Sequence, residues 1–215
     1  MSVQIAPAQP GEEEVAERLV LESFPQLFTL LMGSRSTATK LAVLTNLRRC
    51  RQDPTAGIVL ARVGADAVGV VAYETPAEPS APLRSRVTAL RPLGVLGALR
   101  FIVLGRLIIT VATPPEHGVY MRNAAIDPAH RGGGIAYALV IEGERMAARA
   151  GYQSSTVLVA APNVPSHRLV AKLGYTEVDR IRRWWRGVLL GEGTFVVYRK
   201  AFGDAPGGQD EEGSQ

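Results

Sequence analysis

The chain has 215 residues, 47% of them apolar, and one cysteine, Cys50. That length suits one domain with a sizeable core, and one cysteine excludes an internal disulfide framework. Three scattered histidines leave no ligand cluster for zinc, so no metal is expected.

The net charge of +4 is unevenly spread, because the last 13 residues hold four acids and no base. Residues 1–202 therefore carry 24 basic against 16 acidic side chains, about +8. A basic body suits an anionic small ligand. No basic helix or alternation of aromatic and basic residues marks a nucleic-acid module, so nucleic acid is not an expected partner.

Residues 3–6 read as a first strand. Glu12, Glu13 and Glu14 favour a helix start, Val15, Leu19 and Val20 recur at helical spacing, and Pro25 ends that helix. A second helix is predicted over 39–51. Apolar runs at 57–63 and 67–73 read as strands joined by a hairpin turn at Gly64, Ala65 and Asp66. The proline-punctuated stretch 75–91 reads as a loop.

Residues 93–112 are almost wholly apolar, interrupted by Arg100 and Arg106. A charge near a bilayer centre is costly, so this segment is expected to be a buried or half-buried helix, with membrane-surface contact the lesser alternative and a membrane not an expected partner. Strands follow at 119–126, 156–160, 176–181 and 194–200, with helices at 134–150 and 165–173. The Gly-rich acidic tail, 203–215, is expected to be disordered. With no secretory signal at the N-terminus, a cytoplasmic location is expected.

The most informative residues lie between the strand at 119–126 and the helix at 134–150. Asp127-Pro-Ala-His-Arg131-Gly132-Gly133-Gly134-Ile135-Ala136 is a glycine-rich turn with one arginine, opening a helix. Unpaired N–H groups at a helix N-terminus bind phosphate, and glycines let the backbone come close. No Lys-Ser or Lys-Thr follows, which argues against a P-loop, and the third glycine of a dinucleotide fingerprint is missing.

Arg131 to Ala136 resembles the Gln/Arg-x-x-Gly-x-Gly/Ala signature of the GNAT superfamily of N-acetyltransferases. Asn163-Val-Pro-Ser166-His-Arg168-Leu-Val170-Ala-Lys172-Leu-Gly174-Tyr175 resembles its second signature, about thirty residues on. The resemblance implies an α/β fold: a mixed, mostly antiparallel sheet of about seven strands flanked by helices, with an extra apolar helix before the fourth strand. The domain would cover 1–202, with an insert over about 75–118.

The resemblance also implies acetyl-CoA as acyl donor and an amine of a small molecule or protein as acceptor. Transfer would occur in a ternary complex without an acyl-enzyme. Ala124, Ala125 and Ile126 would pair with pantetheine. Arg131, Gly132, Gly133, Gly134, Ile135 and Ala136 would cradle pyrophosphate, with Asn163, Ser166, Arg168 and Lys172 as further contacts.

One departure matters. Val170 stands where many members carry a tyrosine general acid, and Leu158 where some carry a glutamate. Glu74, Glu116, His117, Tyr120 and His167 are then the candidates for the general base. The same departure keeps open a catalytically weak acyl-CoA-binding module. The insert is expected to wall the acceptor pocket or to form a homodimer contact.

Overall fold

A computed structural model describes residues 2–76, 81–108, 115–191 and 193–203, apart from the side chains of 188–190. Seven strands form one sheet: β1 (Val3–Pro7), β2 (Ile58–Val63), β3 (Asp66–Glu74), β4 (Gly118–Ile126), β5 (Ser154–Ala160), β6 (Thr176–Arg182) and β7 (Thr194–Ala201). Their order across the sheet is β1-β2-β3-β4-β5-β7-β6. Every neighbouring pair is antiparallel except β4 and β5.

The central strands bury both faces, which is why β2 reads as a continuous apolar run. Ile58 and Leu60 enter one core with Val70 and Ala72. Val59 and Ala61 enter the other with Val71 and Met121. The first core is closed by α1 (Glu13–Ser23), α2 (Pro25–Met32) and α3 (Thr37–Arg49). The second is closed chiefly by α6 (Ile135–Arg149) and α7 (Val164–Lys172).

Three helices depart from the sequence expectation. Pro25 does end α1, but it also opens α2, since a proline at a helix start loses no hydrogen bond. The predicted loop at 75–91 contains α4 (Leu83–Ala89). The last proline before it, Pro82, occupies the N-cap, and Ala89 and Leu90 turn into the core. The loop between β6 and β7 contains α8 (Trp184–Leu190).

The apolar segment forms α5 (Gly94–Ile108), and its expected half-burial is one-sided. Ala98, Phe101, Leu104 and Ile108 pack into the first core. The opposite face, including Val95, Leu96, Leu99 and Val103, is exposed. Residues 109–112 of the expected helix, and residues 204–215 of the acidic tail, lie outside the described residues.

Two ion pairs tie α1 to α3: Arg48 to Glu17 at 2.9 Å and Arg49 to Glu13 at 2.6 Å. The bond from Arg49 chiefly holds the Glu13 carboxyl below its usual value of 4.5. A carboxyl depressed in the folded state stabilises it fully above the unfolded value and loses that contribution as pH falls through the folded value. Glu13→Gln should therefore flatten the loss of stability on acidification below about pH 4.5, read from urea midpoints across that range.

Candidate active site

β4 and β5 are paired over four residues only, Gly118 to Met121 against Ser154 to Val157. Beyond Met121 they part. The cause is visible in the ladder between β3 and β4. Arg122 faces Ala72 and Ala125 faces Val70, so Asn123 and Ala124 together stand opposite Val71. Asn123 has φ 53°, and no other non-glycine among the described residues has positive φ. Asparagine tolerates this left-handed conformation better than most side chains. A bulge of this kind bends its strand and takes peptide groups out of the ladder.

The gap is a cavity of about 550 Å³. Its walls include Tyr120 and Asn123 from β4, Leu158 and Val159 from β5, and Asn163 and Val170 from around α7. A second recess, of about 470 Å³, shares Leu27, Arg122 and Asn123 with the first. It lies under α1, α3 and the insert, lined by Glu17, Arg48, Glu74, Arg86 and Phe101 among others.

Past the end of β4, Asp127 caps a 3-10 turn by accepting a 2.8 Å hydrogen bond from the N–H of Ala129. Arg131 donates through Nε to the carbonyl of Ile126 at 3.1 Å, fastening the turn to the strand end. Gly132 and Gly134 have φ of 86° and 78°. Gly134 is the N-cap of α6, and no side chain caps that helix. The first-turn N–H groups of a 15-residue helix are thus left for an anion.

Ile135 is buried in the second core, so it offers the turn only its backbone. Gly133 and Ala136 complete the turn, and Gly133 is exposed. The ammonium of Lys172 sits 5.1 Å from the ring centroid of Tyr137, which brings a cation across to the first turn of α6. Arg168, one helical turn earlier on α7, is exposed.

Asn163 is the N-cap of α7, its Oδ1 accepting from the N–H of Ser166 at 3.2 Å. Asn163, Ser166 and Ala124 all line the cavity. Ala125 does not: its side chain is buried in the first core, and Ala125 and Ile126 pair with β3 on one edge.

Of the proton-transfer candidates, only Tyr120 reaches the cavity. Burial pushes its hydroxyl above the usual tyrosine range, so it keeps its proton at neutral pH. Glu74 is engaged by Arg122 at 2.6 Å and Arg51 at 3.2 Å, and lines the second recess. Glu116 and His117 are exposed just before β4.

His167 faces elsewhere. Its Nε2 lies 3.2 Å from the carbonyl of Ala161, which makes that nitrogen the donor, and Nδ1 then accepts from the hydroxyl of Tyr198 at 2.9 Å. Sharing a helix with Val170 did not bring it to the same side, because the ring is drawn towards β7.

Sequence reasoning missed Arg122, Asn123 and Arg186. A polar Arg-Asn pair inside an apolar strand was the available signal for the first two. Arg186 is buried, stacks 4.1 Å from the ring centroid of Phe195 and donates to the carbonyl of Ile108 at 2.8 Å.

The profile of the acetyltransferase (GNAT) family matches residues 24–175. The chain belongs to the GNAT acetyltransferase family. It is an acyltransferase by that membership. No match is found among curated proteins.

Solved structures share the fold. One acetyltransferase crystal structure has a TM-score of 0.64 at 18% identity, covering 92% of this chain and 98% of its own. The yncA protein of Salmonella typhimurium, solved with its cofactor acetyl-CoA, has a TM-score of 0.58 at 14% identity, covering 96% and 97%. An agmatine N-acetyltransferase, in the apo form of its S171A mutant, has a TM-score of 0.58 at 17% identity, covering 94% and 100%. At these identities the likeness is one of fold.

The bulge offers a direct check. A β-branched residue is strained at positive φ, so Asn123→Val should lower stability by about 1–3 kcal/mol, while Asn123→Gly should leave thermal unfolding nearly unchanged.

Proposed function

We propose that the chain transfers an acetyl group from acetyl-CoA to an amine of a small molecule or protein, by direct attack in a ternary complex. The observation that carries this reading is continuity. The open edge of β4 beyond Met121 runs straight into the uncapped N-terminus of α6. A strand-like polar arm ending in a pyrophosphate fits that path, and yncA, with the same fold, holds acetyl-CoA.

The bound donor supplies a thioester, in which the C–S bond is exchanged for a C–N bond while one proton leaves the amine and one reaches the thiolate. The chain's residues divide the remaining work. The turn from Arg131 to Ala136 holds the phosphates, with Lys172 and Arg168 adding charge. Ala124 and its neighbours offer backbone groups to the pantetheine. Asn163 and Ser166 bound the same arm from α7. The peptide groups displaced at Asn123 are available to polarise a carbonyl.

Tyr120 holds a proton inside the cavity and is the group suited to deliver it to the thiolate, the work that valine at position 170 cannot do. The carboxylates lining the recess are engaged by arginines, so the amine proton leaves through water.

Charge supports an acceptor class. Among the described residues that line the second recess, Arg48, Arg86 and Arg122 stand against Glu17 and Glu74. An acceptor bearing a carboxylate or phosphate beside its amine suits that surplus better than a polyamine.

The competing reading, an acyl-CoA-binding module without turnover, is favoured by Val170 and Leu158. Calorimetric titration and a turnover assay separate the two. Acetyl-CoA should bind saturably, and Gly134→Glu should abolish binding by placing a carboxylate at the phosphate turn. Failure of the wild type to bind would sink both readings.

In turnover assays, amino-acid-like amines should outrun polyamines. Tyr120→Phe should lower kcat by about tenfold or more with little change in donor affinity. Binding without turnover across the whole amine panel would leave the module.

A further inference from the structure

Among the described residues, the face that α5 turns away from the core has no partner. Val95 and Leu96 are 86% and 83% exposed, and Leu99, Ile102, Val103 and Leu107 continue the same side. The core-facing residues Ala98, Phe101, Leu104 and Ile108 occupy the opposite side, so the helix carries apolar side chains on both its covered and its open side, with Arg100 and Arg106 exposed among the latter. On α4, Leu83 and Val87 are also exposed, four residues apart and therefore on one face. Large apolar side chains exposed in this number along neighbouring helices mark an interaction site.

The charges around it select the occupant. Residues 79–115 contain no Asp or Glu. Arg84, Arg86, Arg91, Arg100 and Arg106 are all exposed. No carboxylate among the described residues pairs with any of them.

Beside the C-terminal end of α5 lies α8, joined to it by the bond from Arg186 to the carbonyl of Ile108. Trp184, the first residue of α8, is 80% exposed, preceded by the exposed Arg182 and Arg183. Apolar side chains, an open tryptophan and unpaired arginines form the composition of a helix that lies in a bilayer interface.

We propose that α4, α5 and the start of α8 dock on an anionic membrane surface. They lie on it rather than cross it. No single helix among the described residues is long and apolar enough to span; α4 and the following helix reach that length only together, bent by 43° at their junction, and the inner side of α5 is committed to the core through Ala98, Phe101, Leu104 and Ile108. Two bonds tie α5 and the residue before it to the body: Arg100 donates to the carbonyl of Leu30 at 2.9 Å, and Arg35 to that of Leu93 at 3.0 Å. A second copy fits less well, because a two-fold contact through this face would set arginines against arginines with no carboxylate between them.

The test is co-sedimentation of the full chain with phosphatidylcholine vesicles, with and without phosphatidylglycerol. Capture should require the anionic lipid and weaken with salt. A Leu96→Glu/Leu99→Glu variant and an Arg84→Gln/Arg91→Gln/Arg106→Gln variant should each reduce partitioning by about tenfold or more. All the substituted side chains are exposed, and an unchanged thermal transition confirms that each variant is folded. Three results would overturn the proposal. These are no capture, equal capture by both vesicle types, and a dimer in sedimentation velocity that Leu96→Glu/Leu99→Glu converts to monomer.

Discussion

A β-strand needs a partner on each edge, and β4 lacks one for more than half its length. Its residues pair with β3 from Tyr120 to Ile126 apart from the bulge, but with β5 only from Gly118 to Met121. Backbone N–H and C=O groups away from water have to be satisfied, so an open edge at the middle of a seven-stranded sheet demands either solvent or an extended polar ligand. The bulge at Asn123 creates that demand. α6 places an uncapped N-terminus at one end of the opening, and the α1–α3 layer with the insert walls the other. Two cores pack on opposite faces of the sheet, so the opening can exist without a break in either of them.

The conformations of the glycine turn and the Asn163 motif were legible because backbone requirements dictate their composition. Positive φ calls for glycine at Gly132 and Gly134, and a cap calls for a short polar side chain at Asn163. The central strands β2 and β3 were legible because burial on both faces leaves continuous apolar runs. What escaped depends on distant partners. Nothing near Glu74 in the chain announces that Arg51 and Arg122 converge on it. Nothing near His167 announces Tyr198, 31 residues away. The helices α2, α4 and α8 escaped because prolines or a short length hide the helical period.

The proton-transfer question shows the same division. Val170 and Leu158 can be read as absences from the sequence alone, but the group that fills the space has to be seen in place. Tyr120 approaches the cavity from β4 instead of α7. A hydroxyl in a desolvated wall serves equally well from either side, since proton delivery depends on position and protonation state and not on the element that carries the residue. On the proposed reading, the family scaffold lets the donor group migrate while the cofactor path stays fixed.

Arg186 joins pieces that are far apart in the chain. From α8 it stacks on Phe195 of β7 and holds the last carbonyl of α5, 78 residues away. The insert and the loop between β6 and β7 are therefore one mechanical unit, although each looks like an independent decoration of the sheet. Such a linkage constrains how this protein can diversify. Exchanging either segment alone for a relative's breaks the bond between a buried guanidinium and a helix-end carbonyl. Changes of acceptor preference would then have to arrive as matched substitutions in both segments, and grafting experiments that treat them separately would select against themselves.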